Sequence, residues 1–192
     1  MKLIAFLSGL TIATAASALT PQSTAQLISS ALTPLPAQLR NGATVVHFVP
    51  SPPHMETVRQ GSNGITCIAD NPVDDRLETM CYRDSFLPVL YRGFEVGEAQ
   101  VEAEIKSGKL QLSRDPTAGY RCSGPIAGYD AATGKTDSTI ECWQSIHNPY
   151  RTAAEIGVPD ESELPEDQQK DIPYVMSGGT YWSHVMLRHS SK

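Results

Sequence analysis

The chain has 192 residues, 40% of them hydrophobic, and carries 15 Lys and Arg against 21 Asp and Glu for a formal charge of −6. That length suits one domain with a sizeable buried core. The basic residues (Arg40, Arg59, Arg76, Arg83, Arg92, Lys106, Lys109) are scattered rather than gathered into the stripe that a phosphate backbone requires, so no nucleic-acid partner is expected.

The first eighteen residues read as an address. Lys2 precedes the apolar run Leu3, Ile4, Ala5, Phe6, Leu7, Leu10 and Ile12, which is too short to anchor in a bilayer. Ala16-Ser17-Ala18 offers the small-x-small pattern that signal peptidase cuts. The expected organisation is a signal peptide over 1–18 and a single α+β domain over 19–192, exported to the periplasm or the exterior. Removing eighteen residues, Lys2 among them, leaves 174 and a charge of −7. No second apolar run approaches the roughly twenty residues of a spanning helix, so no membrane insertion is expected after cleavage.

Thr20-Pro21 predicts an N-cap with proline at the first helical position, and Leu27, Ile28, Ala31, Leu32 and Leu35 recur at helical spacing until Pro34 and Pro36 end the helix. Strand character runs from Ala43 to Val49 and stops at Pro50. Glu56–Gln60 and Ile65–Ile68 flank Gly61-Ser62-Asn63-Gly64, which predicts a β-hairpin across the Asn-Gly turn.

Asp84 or Ser85 is expected to cap a helix carrying Phe86, Leu87, Leu90, Tyr91 and Phe94. A second helix follows from Glu98, supported by a Glu102–Lys106 pair and stopped at Gly108. Tyr120–Tyr129 and Thr139–Ile146 read as two further strands. Thr152-Ala153-Ala154-Glu155 fits a capping box over a helix of about one turn. Asp160–Asp171 is acidic and poor in large apolar groups, and is expected to be a mobile surface loop. Tyr174–Ser177, a Gly178-Gly179 turn and a returning strand over Thr180–Arg188 close the chain. Together these predict an α+β domain, a mainly antiparallel sheet built from hairpins with a few packed helices.

Four cysteines allow three pairings. Cys67 and Cys81 are 14 positions apart, and Cys122 and Cys142 are 20 apart on strands that share a turn. Local bridges Cys67–Cys81 and Cys122–Cys142 are therefore expected in an exported chain. Zinc ligands usually come as close pairs such as C-x-x-C, which the sequence lacks, so neither a metal site nor a cofactor is expected.

With Gly61–Cys67 and the closing Gly179-Thr180-Tyr181-Trp182-Ser183-His184-Val185-Met186 both in view, the chain resembles a group of exported bacterial proteins without an assigned function. These carry a G-[ST]-N-G-x-x-C segment near the start and a His-Val-Met strand at the end. The resemblance implies a bacterial, exported protein and transfers no catalytic residue.

Two constellations carry chemistry-bearing residues. On the last strand a period of two places Trp182, His184 and Met186 on one face and Tyr181, Ser183, Val185 and Leu187 on the other. Burial of His184 would shift its pKa, and His47 would meet it across the sheet, joined by a carboxylate from Asp70, Asp74, Asp75 or Glu78. The second constellation is Trp143–Arg151, where Trp143, His147, Tyr150 and Arg151 gather at a strand end.

Asp70–Asp75 lacks the spacing and bidentate glutamate of an EF-hand. No nucleophile elbow or H-E-x-x-H is present. The leading expectation is a non-catalytic exported or envelope-associated protein that binds a protein or small-molecule ligand through Trp143, Tyr150, Arg151, Tyr181 and Trp182. The alternative is a small hydrolase or lyase using His184 or His147 as general base.

Overall fold

The computed structural model describes residues 22–71 and 74–188. The proposed leader and the Thr20-Pro21 cap lie outside the described residues. In chain order the main elements are α1 (Thr24–Leu32), α2 (Ala37–Arg40), β1 (Thr44–Pro50), β2 (Pro53–Arg59), β3 (Ile65–Ile68) and β4 (Arg76–Arg83). There follow α3 (Leu87–Val96), α4 (Glu98–Lys106), β5 (Thr117–Pro125), a small hairpin of β6 (Tyr129–Asp130) and β7 (Lys135–Thr136), β8 (Glu141–His147), α5 (Ala153–Ile156), β9 (Tyr174–Met176) and β10 (His184–Arg188). Eight strands form one sheet in the order β2-β1-β3-β4-β5-β8-β10-β9. Every pairing in it is antiparallel except β1 with β3. The architecture is α+β, as expected from the mixture of hairpins and helices.

Strand periodicity assigns the two faces. Val45, Cys67, Cys81 and Tyr120 stand in register on one face, and α1 lays Ala31 and Leu32 against them, joined by Leu35 from the turn that follows. Its start is fixed by a capping box in which Ser23 Oγ accepts from Gln26 N and the Gln26 side chain accepts from Ser23 N, a reciprocal arrangement that satisfies two amides with no helical partner. Both disulfides lie on this face. Cys67–Cys81 joins directly opposed residues of β3 and β4, and Cys122–Cys142 joins opposed residues of β5 and β8. Beyond α1 the same face is completed by Leu77, Cys122 and Ile140 with Ile126 and Tyr129. The Tyr129 hydroxyl ties this excursion to α1 by donating to Ser29 Oγ at 3.0 Å.

Val46, Ile68, Met80 and Tyr82 face the other way, toward Phe86 and Leu90. Here α3 and α4 cover only part of the sheet, and their apolar sides meet at Val89, Val101 and Tyr181. The two helices are locked by Glu104, which is buried beneath two cations. Arg92 donates to both of its carboxylate oxygens at 2.8 and 2.7 Å, and Lys109 adds a third contact at 2.9 Å. Those hydrogen bonds hold the Glu104 carboxyl far below the usual carboxylate range. The expected Glu102–Lys106 pair forms at 3.0 Å, and Gly108 leaves α4 with positive φ.

Four local expectations are corrected. The Asn63-Gly64 turn does not close a hairpin, because β1 lies between β2 and β3 and pairs with both. The Gly42 carbonyl accepts from Ser62 N and Asn63 N, and Asn63 Nδ2 donates to the Leu39 carbonyl, so the turn is bound across the start of β1. Gly61 passes so close to the backbone of residues 42–44 that a Cβ there would collide with it.

A second correction is β4 itself, a central strand over Arg76–Arg83, a segment for which no strand is expected above. Third, the last strand begins at His184 rather than Thr180. Residues 180–183 form a turn, and Tyr181 packs against the helices on the same side as Trp182. Fourth, Asp84 does not cap the middle helix, since its carboxylate accepts instead from Thr66 Oγ1 at 2.8 Å. The acidic segment expected to be a mobile loop carries a short 3-10 turn, capped by Asp160 and bridged to Val175 of β9.

Candidate functional site

The antiparallel register of β8 and β10 sets His147 directly opposite His184. Their rings stack 4.8 Å apart at 22°. His184 Nδ1 donates to the Trp182 carbonyl at 2.7 Å, since a carbonyl can only accept, and this fixes its tautomer. His147 is 1% exposed, and its Nδ1 has no hydrogen-bond partner among the described residues. Around it Tyr82, Phe86 and Trp182 supply ring contacts at 5.2, 4.7 and 5.1 Å. Burial, with the neighbouring His184 adding to it, pushes the His147 imidazole down to about 3.

The His184 imidazole is also lowered, chiefly by burial. Its bond to the Trp182 carbonyl opposes the shift and the Arg121 charge reinforces it. Both rings are therefore neutral at pH 7. No carboxylate hydrogen-bonds to either ring among the described residues, and what the pair does sterically is hold Trp182 from behind.

The turn carrying Trp182 is laced to the segment after β8. Tyr150 N donates to the Thr180 carbonyl at 2.7 Å, Asn148 N to the Ser183 carbonyl at 2.8 Å, and Ser183 Oγ to the Arg151 carbonyl at 2.6 Å. Tyr150 accepts a left-handed φ of 65° in this arrangement, and Arg114 lies 4.8 Å over its ring. The hydroxyl of Tyr181, buried and near Glu98 and Glu102, is pushed up to about 12.

In front of Trp182 the helices leave a cleft of about 240 Å³. The sheet supplies its floor through Met80 and Arg121, and α3 one wall through Val89, Leu90, Gly93 and Phe94. The junction to α4 adds Gly97 and Glu98, while Tyr181 and Trp182 close the far side. Phe94, 39% exposed, stacks on Phe48 of β1 at 5.4 Å and makes an apolar lip. Apart from Arg121 and the exposed Glu98, the lining is apolar, aromatic or glycine.

Arg121 is placed by register: it stands opposite Met80 on one side and Trp143 on the other, with its guanidinium 5.5 Å over the Trp143 ring. Its Nη2 donates to Glu78 Oε1 at 2.8 Å. Its Nε is buried with no acceptor among the described residues, and a buried donor left unmade costs on the order of 1–3 kcal/mol.

Of the residues singled out in the sequence, the structure gathers His147, His184, Tyr150, Tyr181 and Trp182 at one end of the sheet. Trp143 reaches the cleft only through Arg121. Arg151 is exposed and pairs with Glu155 at 3.4 Å, away from the cleft. His47 lies across the sheet on β1, bonded to Glu56, and does not meet His184. Asp70 is buried behind β4, accepting from Glu78 N, so its carboxyl is raised by burial and takes no part in the histidine pair. Among the described residues no three of His, Cys, Asp and Glu stand together as a metal site would require, and no helix is long and apolar enough to cross a membrane.

Sequence reasoning missed Arg121, Met80, Gly93, Phe94 and Glu98. The available signal was an arginine in mid-strand, flanked by residues that read as buried.

No family model, curated protein or solved structure matches the chain.

Proposed function

We propose that this chain is an exported, non-catalytic binding protein that takes a small ligand with an apolar body into the cleft between α3 and the sheet. One observation carries the reading: Trp182 and Tyr181 are fixed by a buried histidine pair and a laced turn, yet face an open, largely apolar cleft. Sites that bind small molecules have this character, an apolar wall with very few polar groups. The volume of about 240 Å³ falls below the roughly 300–1,000 Å³ of drug-sized sites and suits a compact ligand. The leader-like N-terminus and two disulfides fit an oxidising compartment outside the cytoplasm.

The test uses the sheet-facing side of α3. A Cβ built at Gly93 meets nothing within 4 Å, so Gly93→Leu is expected to narrow the cleft, and it replaces a weak helix former with a strong one. Octanol titrated into the wild type is expected to change tryptophan emission saturably. Gly93→Leu should abolish that response while keeping or raising the melting temperature. An unaltered response in Gly93→Leu would place binding elsewhere and overturn the reading.

A further inference from the structure

We propose that Arg121 makes the cleft selective for a monocarboxylate with an apolar chain, a class exemplified by octanoate; this rests on the cleft being the binding site. The floor of an otherwise apolar cleft holds a guanidinium whose planar fork suits a carboxylate better than any neutral group. Only one of its nitrogens is engaged with an acceptor, Nη2 with Glu78, while Nε is buried and unmatched among the described residues. A carboxylate entering beside Trp182 would complete the fork and displace or share the Glu78 contact.

Two acidic groups oppose such a ligand, and placement relative to the cleft decides between them and Arg121. The Glu78 side chain is 48% exposed and stands outside the lining. Glu98 is an exposed residue at the mouth, screened by water. Arg121 lines the cleft floor with its side chain 33% exposed, so its charge is screened less than that of Glu78. Glu98 nevertheless sets a limit: a second carboxylate at the far end of a ligand would meet it, so the match is a monoanion rather than a dianion. An apolar chain of about eight carbons lies along Met80, Leu90 and Phe94 in this arrangement.

Calorimetric titration of the full protein with octanoate, octanol, octylamine and octanedioate separates the possibilities. Octanoate is expected to bind at least about tenfold tighter than octanol, the discrimination one charge-assisted hydrogen bond supports, with octanedioate weaker than octanoate. Arg121→Met should erase the preference for octanoate over octanol. Glu78→Gln frees the fork without touching the cleft and should tighten octanoate severalfold. It decides the matter if Arg121→Met fails to fold.

Equal affinity for octanoate and octanol, or preference for octylamine, would overturn the carboxylate assignment and leave the apolar cleft intact. No binding of any probe, octanol included, would overturn the cleft itself and this proposal with it.

Discussion

The two faces of the same sheet are built by opposite rules. On the face under α1, every layer is closed: two cross-strand disulfides, the fully buried Ala31, Val45, Cys67 and Cys81, and a tyrosine hydroxyl tied back to the helix. On the face under α3 and α4, packing is aromatic and loosely roofed, the imidazoles of His147 and His184 enter the interior, and a cleft lined by the half-buried Arg121 is left open. The lesson is a division of labour between the two sides of one sheet. Covalent and apolar rigidity on one side supports a face that holds an arginine and two neutral imidazoles at a cost in stability.

The largest expected effect lies on the bridged face. Replacing both pairs, Cys67→Ala with Cys81→Ala and Cys122→Ala with Cys142→Ala, should lower stability by about 3 kcal/mol per bridge for loops of this length. Urea unfolding would measure it. A combined loss below about 2 kcal/mol would mean that the α1 face does not carry the rigidity assigned to it.

Acid should act on the other face. His147 is pushed down to about 3 in the folded chain, against about 6.5 unfolded. The unfolded state therefore binds more protons between these values. The stabilising effect is fully present above pH 6.5 and is lost as pH falls toward 3, with a slope approaching about 1.4 kcal/mol per pH unit. His184, lowered in the same direction, steepens the upper part of that range. His147→Gln should flatten the stability–pH curve there. An unchanged slope in that variant would assign acid sensitivity to other groups and blur the contrast between the faces.

The smallest effect is local. Ser23→Ala removes the Oγ acceptor for Gln26 N and should cost about 1 kcal/mol. Its effect should appear as earlier thermal unfolding with the octanol response unchanged, because α1 lies on the side away from the cleft.

The sequence carried most of the frame where local chemistry decides it. Both bridges, the Thr152–Glu155 capping box and the α4 ion pair depend on residues close along the chain, and they form as the spacing implies. The Asn63-Gly64 turn failed because a distant strand won: β1 offers both of its edges, and the Gly42 carbonyl captures the turn amides. β4 was obscured by Arg76, Glu78 and Arg83, whose exposed charges mask the alternation of Leu77, Thr79 and Cys81.

The histidine and tryptophan side chains of the site were visible as unusual groups on the terminal strands, though their partner proved to be the other member of the pair rather than His47. The cleft was not visible, because Met80, Gly93, Glu98 and Arg121 come from four separate elements that only the sheet order brings together.

The path of residues 59–66 has a consequence for how the chain reaches this state. Two strands joined by a short, turn-prone connector are kept apart by an earlier strand that must be in place between them. The quickest local pairing, β2 folding onto β3, is thus a competitor that the native topology has to displace. Efficient refolding should depend on β1 zipping against β2 first, so that by the time the connector closes over Gly61 no vacant edge remains for the wrong neighbour.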